Sequence, residues 1–272
     1  MNHINDRSEE LLEIPENIKR LIEHEKAYQE NIGMSEATVL IFPDKVLKIQ
    51  PIDVESRNEP HIMNWLDGKL SVPKVIAYEE QNDWSFLLMS RVRGKMCCDK
   101  EYMEDPELMI SLTAKALHTL WNIDITGCPC DWRTDRKLKI ARYLVEHDLV
   151  DMENAEEGTF GENGFKNPKE LLDWLIANKP EEELVLSHGD FCLPNIMVDN
   201  GEFSGVIDLG RAGVSDKWND IAIAYRSIKN NLSGKYDGKT WGNFDKDQFF
   251  EKLGVVPDWD KIRYYILLDD LF

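Results

Sequence analysis

Three side chains set close together in the chain are of the types that carry phosphoryl transfer: Asp190, Asn195 and, beyond a reversal at Asn200-Gly201, Asp208. An aspartate facing a substrate can accept or orient a hydroxyl proton. An amide oxygen and a second carboxylate can hold a hard cation such as Mg²⁺ against phosphate oxygens. The first aspartate is spelled His188-Gly189-Asp190 and the last Asp208-Leu209-Gly210. Because the phosphoryl transition state is loose, positioning and charge would supply most of the rate.

The elements that must position these groups are legible nearby. Asn200-Gly201 between extended segments signals a two-residue type I′ turn. With Asp199 opposite Glu202, counting outward sets Asn195 opposite Val206. Strand alternation then places Asn195, Val206 and Asp208 on one face, and Ile196, Val198, Phe203 and Ile207 on the other. The second face is apolar and can pack on a core, so the register has support that owes nothing to chemistry. A tight His-Gly-Asp turn before a plain surface hairpin would explain the spelling alone; the consistent register favours the catalytic reading. Asp190 falls in a loop after a strand at 183–186.

Periodicity extends the picture. A helix is expected over 11–24, strands over 37–42 and 45–49, a helix over 55–66 whose start Pro60 leaves open, and strands over 72–78 and 84–90. After Gly94 the pattern turns helical. Asp105-Pro106 opens one helix, Arg136 to Leu149 is another, and Asn167-Pro168-Lys169-Glu170 reads as a capping box. Two more helices run from Trp218 and from Trp259. The expected fold is α+β and two-lobed, with a small β-rich lobe at 1–92, a larger mostly helical lobe at 93–272, and the joint near Met89 to Gly94.

Composition narrows the classes. The 272 residues, 42% hydrophobic and 31% charged, suit a globular protein able to bury a sizeable core. No apolar run approaches the roughly 20 residues of a membrane helix, and the polar N-terminus lacks signal-peptide character, so a cytoplasmic location is expected. Cys97, Cys98, Cys128, Cys130 and Cys192 have no spacing that suits four zinc ligands and read as reduced thiols. A net charge of −19 argues against nucleic acid and suits a cationic partner, although acidity also serves solubility. Nothing calls for an obligate protein partner. Two acidic clusters are candidate walls of a cation site: Asp148, Asp151, Glu153, Glu156 and Glu157, and Asp269 and Asp270 beside the C-terminal carboxylate of Phe272.

With these motifs in place, the chain resembles the aminoglycoside 3′-phosphotransferases, bacterial antibiotic-resistance kinases with a protein-kinase-like fold. The likeness covers nearly the whole chain. It runs through Gly33-Met34-Ser35, Asn64-Trp65-Leu66-Asp67-Gly68-Lys69-Leu70, Leu87-Leu88-Met89-Ser90, Ser187-His188-Gly189-Asp190, Asp208-Leu209-Gly210-Arg211, Asp216-Lys217-Trp218, Asp220-Ile221-Ala222 and the C-terminal segment from Tyr264 to Phe272. The resemblance implies ATP as donor, with GTP left open, Mg²⁺ as its metal and an aminoglycoside as acceptor. Lys48 then contacts the α- and β-phosphates, Glu59 orients it, Ser35 lies in the loop over the phosphates, and Ser90 and Val92 form the adenine hinge. Asp190 is the catalytic group, and Asn195 and Asp208 hold the metal. Asp151, Glu153, Glu156, Glu157, Arg211, Asp269, Asp270 and Phe272 belong to the substrate side, Arg211 and Asp220 also tying the catalytic loop to the following helix. Val46 stands where the family places an aromatic residue against adenine, and Asn230 where an acidic substrate contact is expected.

Two other readings compete. The same centre would serve another small hydroxylated compound, such as a macrolide, a choline-like amine or a sugar. A non-catalytic nucleotide-binding module is disfavoured by the intact Asp190, Asn195, Asp208 and Lys48, and a protein-directed kinase by the lack of an Ala-Pro-Glu element.

Overall fold

The computed structural model describes residues 13–23, 25–30, 37–236 and 238–272. The N-terminal lobe holds α1 (Glu16–Ile22), β1 (Tyr28–Glu30), β2 (Thr38–Ile41), β3 (Lys45–Pro51), α2 (Val54–Leu66), β4 (Val75–Gln81) and β5 (Trp84–Ser90). Its five strands form one antiparallel sheet in the order β1-β2-β3-β5-β4. Alternation sorts the side chains of this sheet. Leu47, Ile49, Phe86 and Leu88 bury with Ile18 of α1 in one cluster, whereas Leu87 and Met89 face Ile62, Met63 and Leu66 of α2. Lys48, between Leu47 and Ile49 in β3, therefore points toward α2.

Two expectations shift in this lobe. β4 begins at Val75 rather than 72, beyond Pro73, whose ring nitrogen cannot donate to a ladder. Pro60 is the seventh residue of α2 rather than part of its first turn. The start is fixed upstream by a capping box, in which Asp53 accepts from Ser56 N–H and Ser56 Oγ accepts from Asp53 N–H. Burial of Ile62, Met63 and Leu66 holds the helix together past the proline.

The larger lobe follows with β6 (Lys95–Met96), α3 (Lys100–Met103), α4 (Pro106–Trp121), α5 (Thr134–Glu146), α6 (Pro168–Ala177), β7 (Leu184–Ser187), β8 (Ile196–Asp199), β9 (Glu202–Val206), β10 (Gly213–Asp216), α7 (Lys217–Ser233), α8 (Lys246–Leu253) and α9 (Trp259–Asp269). The cap at Asp105 forms as its spelling implies, its side chain accepting Leu108 N–H; at Asn167 the side chain accepts Glu170 N–H, but the expected box does not close, because Glu170 Oε2 takes Lys166 N–H rather than Asn167 N–H. A buried core of Leu112, Ala116, Leu186, Ile221, Ala224, Tyr264 and Leu268 lets α4, α7 and α9 support the two-stranded sheet β7-β10 and the three-stranded sheet β6-β8-β9. All five cysteines are free. No helix among the described residues is long and apolar enough to cross a membrane.

Candidate active site

The 187–190 loop leaves β7 through Gly189, whose φ of +88° belongs to the left-handed region; an added Cβ would lie 2.1 Å from the Arg211 carbonyl oxygen. Asp220, fully buried in the first turn of α7, anchors the loop: it accepts from Ser187 Oγ at 2.9 Å, His188 N–H at 2.9 Å and Gly189 N–H at 3.0 Å. His188 Nε2 lies 2.9 Å from the Ile207 carbonyl, so the histidine ring joins this loop to the hairpin. The expected tie between Asp220 and the loop is thus a set of direct hydrogen bonds.

Asp190, at the end of this loop, meets Asn195, whose Nδ2 donates to the Asp190 carbonyl at 3.0 Å and to its Oδ2 at 3.1 Å. Burial, reinforced by the negative charge of Asp269, raises the Asp190 carboxyl above the ordinary carboxylate range, with Arg211 opposing. The geometry around Asn195 corrects the counted register. Asn200 and Gly201 both have left-handed φ, +51° and +76°, and Asp199 pairs with Glu202 as expected. A bulge then intervenes, so that Gly205 opposes Met197 and Val206 opposes Ile196. Asn195 lies in a 3-10 turn, Leu193–Asn195, rather than on the strand, and its carbonyl accepts from Ile207 N–H at 3.1 Å. The extra residue arises where β9 crosses the lobe joint: a Cβ on Gly205 would sit 2.4 Å from the Ser71 carbonyl, and Val206 N–H donates to that same oxygen. The bulge brings Asn195 level with Ile207, next to Asp208.

Asp208 has φ +61°, a left-handed backbone for a residue other than glycine, and its side chain is half-exposed. Lys48 donates to Asp208 Oδ1 at 2.7 Å and to Glu59 Oε2 at 2.9 Å. Burial alone would lower the lysine; the two carboxylates outweigh it and hold it above its ordinary value. The same ammonium holds the Asp208 carboxyl below its usual range. Glu59, buried in α2, also accepts from Leu209 N–H at 3.1 Å, and Asn58 Nδ2 donates to the carbonyls of Gly210 and Ala212, each at 2.9 Å. One turn of α2 therefore clasps both β3 and the 208–212 segment. The structure thus gathers Lys48, Glu59, Asp190, Asn195 and Asp208 at one place between the lobes.

No group of three or more His, Cys, Asp or Glu side chains suited to a metal occurs among the described residues. A site completed by substrate phosphates needs fewer protein ligands, and the donor set fits Mg²⁺: Asp208 supplies hard carboxylate oxygen, and Asn195 spends its Nδ2 on Asp190 while its Oδ1 receives no hydrogen bond among the described residues. At the hinge, Ser90 N–H is already given to the Lys74 carbonyl and Ser90 Oγ accepts from Lys74 N–H, whereas Val92 makes no backbone hydrogen bond among the described residues. Ser35 lies outside the described residues. Val46, partly buried against the main core, pairs with Met89 on the same sheet.

The acidic residues of the substrate side divide into two groups. Asp269 takes Arg211 Nη1 at 3.0 Å and a shorter bond from Arg226; the arginines outweigh burial and hold its carboxyl below the usual range. Arg211 reaches Glu55 of α2 at 2.7 Å as well, and the Phe272 ring lies 5.0 Å from its guanidinium. Asp270 is buried and accepts from Thr159 Oγ1, at 2.6 Å, and from Glu156 N–H, which seats the 151–165 segment on the C-terminal helix. Glu156 in turn accepts from Asn230 Nδ2 and Lys235 Nζ. Asp151, Glu153 and Glu157 stay exposed; the Asp151 carboxylate caps its own turn through Glu153 N–H and Asn154, and no contact joins the three to the Asp190 loop among the described residues. The expected open acidic wall at Asp269 and Asp270 is therefore internally compensated. Arg226 and Thr159 were missed in the sequence, where neither carries a short-range signal, because both meet Asp269 and Asp270 only through the packing of distant segments.

A model of the phosphotransferase enzyme family, APH, matches residues 32–265. The chain is 42% identical to an aminoglycoside 3′-phosphotransferase of Enterococcus faecalis and 42% identical to one of Staphylococcus aureus, in each case over 96% of this chain and 99% of the relative. Its fold matches aminoglycoside phosphotransferase APH(3″)-Id of Streptomyces rimosus with a TM-score of 0.74 at 24% identity, covering 91% of this chain and 92% of that one.

Proposed function

The chain belongs to the APH phosphotransferase enzyme family, and on that premise we propose that it transfers the γ-phosphoryl group of ATP to the 3′-hydroxyl of an aminoglycoside. The observation that carries this reading is the convergence of Asp190, Asn195, Asp208 and Lys48 at one place between the lobes. The 3′ position and the acceptor class rest on the relatives that share 42% identity over nearly the whole chain. In the division that follows, residues 1–92 hold the nucleotide and 93–272 present the acceptor.

In this reading Lys48, held by Glu59, releases Asp208 and turns its ammonium to the α- and β-phosphates. The peptide of Val92, free of other hydrogen bonds among the described residues, meets adenine, and Ser35 belongs to the loop over the phosphates. Asn195 and Asp208 would hold Mg²⁺, which supplies neutralisation of charge on the phosphate oxygens. Asp190 accepts the proton of the acceptor hydroxyl as its oxygen bonds to phosphorus and the bond to ADP breaks. Its raised carboxyl pKa brings it nearer the value that suits a base at working pH. Glu156, paired with Lys235 near the surface, exchanges that lysine for a substrate ammonium at little cost, because such exposed pairs contribute only about 0–1 kcal/mol. Asp151, Glu153 and Glu157 add long-range attraction for the polycation, and Asp270, bonded to Thr159 and Glu156 N–H, fixes the segment that bears Glu156 on the acceptor side beside Phe272. Asp269, gripped by two arginines, shapes that pocket rather than meeting substrate.

A coupled assay for ADP release over a panel of aminoglycosides with and without a 3′-hydroxyl tests the proposal. Turnover is expected only where that hydroxyl is present. Equal turnover of the 3′-deoxy members would overturn the assigned position, and turnover confined to non-aminoglycoside alcohols would overturn the acceptor class.

A further inference from the structure

Lys137, on α5, is 4% exposed and lies outside every motif that drew attention in the sequence. Its ammonium donates to Asn219 Oδ1 at 2.6 Å, and Asn219, itself 4% exposed, donates from Nδ2 to the Gly189 carbonyl at 3.1 Å. That carbonyl belongs to the peptide unit whose N–H is that of Asp190. Burying a lysine is costly, and one that packs this deeply against a single neutral amide is placed for what the amide does next. With the ammonium on its oxygen side, the Asn219 amide has one allowed orientation, its NH₂ toward Gly189; the flipped amide would set oxygen against oxygen at Gly189 and NH₂ against the ammonium. Asp220, the adjacent residue, grips the same glycine from its N–H. Gly189 is thereby held at both its N–H and its carbonyl, and the carbonyl bond alone fixes the Gly189-Asp190 peptide.

We propose that Lys137 is a positioning residue for phosphoryl transfer, acting through Asn219 to fix the peptide that aims the Asp190 carboxylate. The proposal rests on the reading of Asp190 as the group that meets the acceptor hydroxyl. The charged groups around Lys137 are Asp216 at the end of β10, Asp220 on α7, Asp269 on α9 and Arg211 after β9, with the Tyr265 ring 6.0 Å from its nitrogen. Burial pushes its pKa down to about 8 against the pull of the aspartates. Loss of its charge at alkaline pH loosens the hold on Asn219, so kcat is expected to fall as pH rises through about 8.

The test compares Lys137→Met, Lys137→Arg and Asp190→Ala in the full chain with kanamycin and ATP. A charge-assisted hydrogen bond spent on orientation predicts that Lys137→Met lowers kcat by about tenfold or more, with both KM values within about twofold of wild type. Lys137→Arg is expected to restore most of kcat and to lose the alkaline limb, because arginine keeps its charge. Wild-type kcat in Lys137→Met, beside an inactive Asp190→Ala, would overturn the inference and leave the Asp190 reading intact. A rise in aminoglycoside KM at unchanged kcat would overturn it too, by making Lys137 part of the acceptor pocket. Full turnover by Asp190→Ala would bring down the Asp190 reading instead. Should Lys137→Met fail to fold, the arginine variant decides alone: an alkaline limb still centred near pH 8 refutes the inference.

Discussion

Replacing Asp220 by alanine isolates what holds the catalytic loop in place. The wild-type carboxylate accepts three hydrogen bonds, from Ser187 Oγ, His188 N–H and Gly189 N–H. Gly189 N–H keeps a second acceptor in the variant, since Ser187 Oγ lies 3.2 Å away. Two buried donors lose their partner, the His188 N–H and the Ser187 hydroxyl. At about 1–3 kcal/mol for each unsatisfied buried group, the variant should lose roughly 2–6 kcal/mol of stability. That is a large part of the roughly 5–15 kcal/mol that a folded domain possesses. Asp220→Asn keeps one acceptor for His188 N–H, but its NH₂ then meets both the Ser187 oxygen and Gly189 N–H, so its loss should be smaller than that of Asp220→Ala without vanishing. Urea unfolding of the two variants, with wild-type slopes as the check on two-state behaviour, reads these values from the shift in midpoint. A loss below about 1 kcal/mol in Asp220→Ala would refute the claim that this carboxylate anchors the loop.

Three further outcomes follow from named contacts. Without nucleotide or Mg²⁺, Asp190→Asn should be more stable than wild type at neutral pH, because burial makes the charged carboxylate costly in the folded chain; this advantage should shrink as pH falls through the raised folded value and vanish below the ordinary carboxyl value of about 4, where both states are protonated, and equal stability at pH 7 would contradict it. Lys48→Ala leaves Glu59 buried without its cation and removes the phosphate contact, so kcat/KM for ATP should fall about 100-fold or more while kanamycin binding in the absence of nucleotide, read by calorimetry, holds. Thr159→Val removes the 2.6 Å bond that seats the 151–165 segment on Asp270, and steady-state kinetics should show a severalfold rise in aminoglycoside KM with the ATP KM unchanged; a parallel rise in both would contradict the separate acceptor side.

What the sequence discloses here is local, and what it conceals is contact between distant segments. The Asn200-Gly201 turn, the Asp105 cap and β5 follow from residue type and short spacing, and they form as expected, while the Asn167 box keeps only its N-cap half. The hairpin register fails two residues from the turn's flanking pairs, because the bulge at Gly205 answers to Ser71, far away in the chain. The acidic C-terminus illustrates the same limit. Asp269 and Asp270 look like open carboxylates in a strongly acidic chain, yet Arg211 and Arg226 reach them from another loop and another helix. Lys137 gave no sign at all, since a lysine on an amphipathic helix ordinarily faces water, and it is buried through distant contacts, with Asn219 of α7 and the Tyr265 ring of α9.

The most direct test of the central claim is turnover of kanamycin by Asp190→Ala alongside its ATP affinity. Aimed at the acceptor hydroxyl and making no contact with Lys48, Asp190 should be dispensable for the nucleotide: ATP is expected to bind the variant with near wild-type affinity while phosphorylation falls to background. Near-normal turnover in a variant that binds ATP would contradict the assignment of the site.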